Sequence, residues 1–185
     1  MSSPENPRAA AAPAMRRLRR NKQGSAAIEF ALVAPVFFAM LFAILETGLT
    51  FLAGQVLENG LQSSARKMFT HEAFDTNMTQ KAFMDDLCGR VSMLMDCSQL
   101  RVNVSVTGEG AAITLKNPIT DGKFVDNFTY QNPQPGTKET VVVSAFYQWP
   151  LIVTQLGFNL ANIDSGTANG KYLLASIAAF RVEPK

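Results

Sequence analysis

The sequence predicts an α+β chain: one long N-terminal helix, a second short helix and a small antiparallel β-sheet packed on them. Three observations carry this. An uncharged apolar run from Phe30 to Leu45 is followed by a stripe at helical spacing, Leu57, Leu61, Ser64/Ala65 and Met68. A second helical stripe follows at Met78, Ala82/Phe83, Leu87, Val91 and Leu94. From Leu100 onward the period changes to two, and turn dipeptides multiply.

Length and charge set the frame. The 185 residues suit one folded domain plus appendages, and an apolar fraction of 47% suits a globular core plus one hydrophobic segment. The net charge of +2 hides an asymmetry. Residues 1–24 hold Arg8, Arg16, Arg17, Arg19, Arg20 and Lys22 against Glu5 alone, which leaves +5 there and −3 on the remainder. A basic arm placed directly before an apolar run reads as a positive-inside topology signal, and no nucleic-acid partner is expected.

Residues 1–15, MSSPENPRAAAAPAM, are rich in Ala and Pro without an apolar stripe and are expected to be disordered. Between Ser25 and Thr50 only Glu29 and Glu46 carry charge, and about twenty helical residues cross a bilayer core, so this stretch can span. Pro35 removes one backbone donor, which membrane helices tolerate. Continued to Phe69, the helix would run roughly 65 Å, apolar all round in its first half and amphipathic in its second. The amphipathic half has a face that something must cover.

The stretch LRVNVSVTG alternates Leu100, Val102, Val104 and Val106 against Arg101, Asn103 and Ser105, as a half-buried strand does. Extended structure is expected again at 111–115 (AAITL) and in a short strand at Phe124–Tyr130, within a turn-rich stretch from 116 to 140. Val141 to Trp149 is a strong β run stopped by Pro150. Residues 151–160 read as a short helix or loop, 164–170 as a polar loop, and Tyr172 to Val182 as the closing strand.

Catalytic chemistry is not evident, and the chain reads as no enzyme, with no cofactor and no metal. A triad would have to use the single histidine, His71, which suits a surface position or helix end better. Asp85 and Asp86 are adjacent and do not converge on one helix face, so a solvated surface is expected. Phe146, Tyr147 and Trp149 could form an exposed aromatic patch, but strand packing explains them more economically. Gly48, Gly54 and Gly60 are six apart, unlike the four-residue small-residue dimer motif. Cys88 and Cys97 lie beyond the apolar run, on the oxidising side if it spans; an even pair there suggests a disulfide, against the alternative of two buried or free thiols.

The apolar run itself carries the functional signal. A secretory signal peptide would be cut after the run, but Ala43, Gly48 and Ala53 have Leu41, Glu46 and Phe51 two residues earlier. A small pair sits instead before the run, at Gly24-Ser25, with Glu29-Phe30 at the head of the helix. A basic leader, Gly, four residues and then Glu-Phe resembles the type IV prepilins. GSAAIEFALVAPVFF resembles more narrowly the start of TadE-like proteins of the Tad (Flp, type IVb) pilus system, which have TadG-like relatives; LCGRVSMLMDCSQLRVNV, VSAFYQWP and AAFRVEP extend the resemblance to the C-terminus.

The resemblance implies a pilin-like architecture and cleavage after Gly24 by a membrane aspartyl prepilin peptidase. It implies a pseudopilin or minor pilin acting in pilus assembly for adhesion, with other pilins and the Tad secretion machinery as partners. Residues 1–24 would be a cytoplasmic leader, 25–50 the transmembrane half of the helix, 51–70 its periplasmic half, and 71–185 a periplasmic α+β domain. The location implied is the bacterial inner membrane, single pass, and the cell-surface pilus after assembly. The chain is longer than the small major Flp pilin, and Phe30 stands where that pilin typically has Tyr. The alternative is an uncleaved single-pass envelope protein whose outer domain binds or scaffolds the machine.

Cleavage would place a new α-amino group on Ser25, with an ordinary pKa near 8. Glu29 could then pair with its own chain's Ser25 amine, or with that of a neighbouring subunit and so set axial register. The plain alternative is that Glu29 sits at headgroup depth and reaches water.

Overall fold

The computed structural model describes residues 24–69, 79–133, 138–152, 159–167 and 169–182. The disorder expected of 1–15 and the placement of His71 lie outside these residues. The chain divides into two units, Met1–Phe42 and Ala43–Lys185, and helix α1 (Ser25–Phe69) contributes to both. The expected architecture is present: a long N-terminal helix, a short helix and a small antiparallel sheet.

In the first unit α1 is apolar on all sides. Phe30, Leu32, Val33, Val36 and Phe37 are all more than half exposed. This is the composition of a helix that finds its apolar surroundings outside its own chain.

In the second unit the same helix becomes one-sided. Ala53, Leu57, Leu61 and Ala65 fall at four-residue spacing and are fully buried. Helix α2 (Gln80–Val91) is opened by Thr79, whose hydroxyl accepts the Ala82 N–H at 3.2 Å, and buries Phe83, Leu87 and Val91. A short 3₁₀ turn at Cys97–Gln99 leads into β1 (Arg101–Thr107).

The main sheet has the order β1-β4-β5, all antiparallel, where β4 is Thr140–Pro150 and β5 is Lys171–Arg181. Its register sets Val102 opposite Ala145, Val104 opposite Val143, and Tyr147 opposite Leu174. Those six side chains share one face and join Leu57, Leu61, Phe83, Leu87 and Val91 in a single core. The apolar face of α1 is thus covered by α2 and the sheet.

The opposite face of β4 is buried too, at Val142, Ser144 and Phe146. Phe128 stacks on Phe146 with ring centroids 4.9 Å apart. The chain then borders β1, where the Val104 N–H donates to the Thr129 carbonyl and the Gln131 N–H to the Val104 carbonyl. Burial on both faces explains why β4 reads as a near-continuous apolar run.

Three expectations need correction. Residues 111–115 form no strand. The strand expected at 124–130 is reduced to a two-residue pairing of β3 (Lys123–Phe124) with β2 (Ile119–Thr120), plus one parallel bridge from Tyr130 to Val104. The Asp121-Gly122 turn between them takes positive φ at both residues, as a tight hairpin requires, but two residues per strand exhaust the pairing. Pro150 ends β4 as its last residue rather than lying beyond it.

Candidate functional site

The residues singled out from sequence at the head of α1 are close together and open. Gly24 lies in a 3₁₀ turn just before Ser25 opens the helix, and both are exposed. No atom lies within 4 Å of where a Gly24 Cβ would stand, so packing does not demand glycine there. The Ser25 hydroxyl donates to the Glu29 carboxylate at 3.1 Å, one helical turn away. Ile28 and Phe30 flank the carboxylate with more than 60% of their surface exposed. The arrangement presents an anionic group on an apolar helix, held by one neutral donor, with capacity for a cationic one.

In the second unit the two cysteines are joined. Cys88 on α2 and Cys97 in the 3₁₀ turn form a disulfide with a Cα–Cα distance of 5.6 Å, which fastens the end of the second helix to the approach of β1. Tyr147 adds to this corner by accepting the Asp96 N–H at 3.1 Å. The Asp96 carboxyl is held below its ordinary value by the backbone N–H of Ser98.

The expected solvated surface at Asp85-Asp86 holds for Asp85, which pairs with Lys81 four residues back. Asp86 is different. It accepts from Ser64 at 2.8 Å, from Lys67, and from Arg90 at 3.1 Å, and so ties α1 to α2. Burial would raise its carboxyl pKa, but the hydrogen bonds from Lys67, Ser64 and Arg90, with the Arg90 charge, outweigh this and hold it down at about 2.

The aromatic run forms no exposed patch. Tyr147 and Trp149 pack on the helix-facing core, and Phe146 lies on the opposite face under Phe128. Tyr130, half-buried beside Phe83, has its phenol pushed up to about 12 by burial.

Two positions carry more than their sequence suggested. A Cβ on Gly60 would lie 2.8 Å from Val91 Cγ1, so this glycine lets α2 approach α1 closely. Glu46 is only 8% exposed, and its carboxylate accepts the backbone N–H of Ile152 from the loop after β4. Glu46 was visible as the second charge in the apolar run, but its partner lies 106 residues away. A groove of about 380 Å³ is lined by Thr50, Gly54, Gln55 and Glu58 of α1 and by Tyr172 and Leu174 of β5. Among the described residues no group of three or more His, Cys, Asp or Glu could hold a metal ion.

Helix α1 is long and apolar enough to cross a membrane, and its most apolar stretch is unburied, so it is a candidate membrane span. Comparison with curated proteins and with solved structures finds no match. Residues 24–66 match the family model described as TadE-like protein, a range that begins at Gly24 and ends within the amphipathic half of α1. The similarity to TadE-like proteins therefore covers the helix on which Gly24, Ser25, Glu29 and Phe30 lie.

Proposed function

We propose that this protein is a pseudopilin or minor pilin that takes part in assembly of a Tad (Flp, type IVb) pilus after a prepilin peptidase cuts between Gly24 and Ser25. The observation that carries the reading is the position of Glu29. It stands five residues after Gly24, on an unburied apolar helix, inside a match to TadE-like proteins. In this reading the basic leader stays in the cytoplasm, α1 crosses the inner membrane, and residues beyond about 50 face the periplasm. The partners are the peptidase, other pilins or pseudopilins, and the Tad secretion machinery.

The chemistry follows from burial. When α1 helices assemble, a carboxylate among apolar side chains costs several kcal/mol unless it is paired. Cleavage would supply an ammonium on Ser25, and the carboxylate of an incoming subunit would meet the terminal amine of one already placed. That contact would set the axial register between helices.

The second reading is an uncleaved single-pass envelope protein whose outer domain scaffolds or binds the pilus machinery, with the Ser25 hydroxyl as the partner of Glu29 in place of a terminal amine. Substitution separates the two. In the pilin reading Glu29→Gln inserts normally and loses surface pili, whereas Gly24→Ala blocks processing itself. Normal piliation by Glu29→Gln at matched protein level would overturn the role given to the carboxylate.

A further inference from the structure

We infer that the chain leaving β4 meets the membrane at Ile152, whose side chain is set among lipid beside the outer end of the span. This rests on the reading of α1 as a membrane span.

The uncharged run from Phe30 to Leu45 holds 16 residues, short of the roughly 20 that a bilayer core requires. The transmembrane half read as 25–50 runs past this stretch, beyond Leu45. The side chains there fit that placement: Ile44, Leu45, Leu49, Phe51 and Leu52 are each half or more exposed. Glu46 interrupts them. A carboxylate at that depth needs a donor, and it takes the N–H of Ile152 while being almost wholly withdrawn from solvent.

This contact brings Ile152 to the level of Glu46 on the helix. Ile152 then turns its side chain outward, 85% exposed, a large apolar group beside an apolar helix surface. Leu160, where the described chain resumes before β5, is also 40% exposed. Ile152 lies at the level of the exposed Ile44, Leu45 and Leu49 of α1, which favours lipid over a second copy or a soluble partner. Thr140, at the opposite end of β4, lies about 33 Å from Pro150, ten steps of 3.3 Å.

Site-directed spin labelling of the full chain in phosphatidylcholine–phosphatidylglycerol vesicles tests this. The two native cysteines are bonded to each other, so an added cysteine is the only reactive thiol. Ile152→Cys replaces an exposed side chain and keeps the backbone N–H that Glu46 uses; Leu160→Cys is the second site. Leu41→Cys marks the span, and Ala112→Cys, exposed beyond the far end of β4, marks the aqueous face. At Ile152→Cys and Leu160→Cys, oxygen collisions should exceed those of a water-soluble nickel chelate at least twofold, with the order reversed at Ala112→Cys. Nickel access at Ile152→Cys equal to that at Ala112→Cys would overturn the inference. So would low access to both relaxers, which would mean a protein cover. If Leu41→Cys also behaves as aqueous, the span reading fails with it; if Leu41→Cys is lipid-facing and Ile152→Cys is not, only the loop contact fails.

Discussion

Ser64 on α1 donates its hydroxyl to Asp86 on α2 across 2.8 Å, and Ser64 is only 1% exposed. The same carboxylate takes Lys67 and Arg90, so three donors from two helices converge on one residue. Asp86→Ala should destabilise the outer domain by about 2 kcal/mol, because it leaves a buried hydroxyl without its acceptor. The pH dependence has a definite sign. The folded-state pKa is depressed from 3.8 to about 2, so the stabilisation is complete above 3.8 and is lost as pH falls toward 2. Urea midpoints of the wild type and Asp86→Ala should therefore converge across that interval; a constant difference would mean that the carboxylate charge is not what binds the helices.

Two glycines in helices should respond in opposite directions. Gly60→Ala drives a Cβ to 2.8 Å from Val91 Cγ1 and should lower stability by about 1 kcal/mol despite the better helix propensity. Gly89→Ala meets nothing within 4 Å and should raise stability by about 0.5–1 kcal/mol. Thermal melts of the two variants check this, and equal signs would contradict the packing described for α1 on α2.

The Cys88–Cys97 bridge closes a short loop, worth roughly 2.5–3 kcal/mol in the chain-entropy model. Thiol counting under denaturation without reductant should find no free thiol. Reduction, or Cys88→Ala with Cys97→Ala, should lower the unfolding midpoint. Two reactive thiols in the untreated protein would refute the bridge.

The elements with a clean period were legible in the sequence. Leu57 and Leu61 announce the buried stripe of α1, and Val102 and Val104 announce the buried face of β1. The head of the helix was legible because Gly24 and Glu29 are separated by a fixed local spacing. Tertiary partners were not. Nothing local distinguishes Asp86 from Asp85, since the difference is made by Ser64 and Lys67 on another helix. Glu46 looked like an interruption because its donor lies in a loop 106 residues later. Residues 111–115 have strand-like composition, yet among the described residues no strand pairs with them.

The pilin and envelope readings part at the bond after Gly24. The most direct measurement is the intact mass and N-terminal sequence of the protein extracted from membranes of cells that have a competent prepilin peptidase. A pilin processed as proposed begins at Ser25 and lacks the mass of residues 1–24, and its Gly24→Ala variant retains it. A full-length chain in those cells, with pili assembled normally, would contradict the pilin reading.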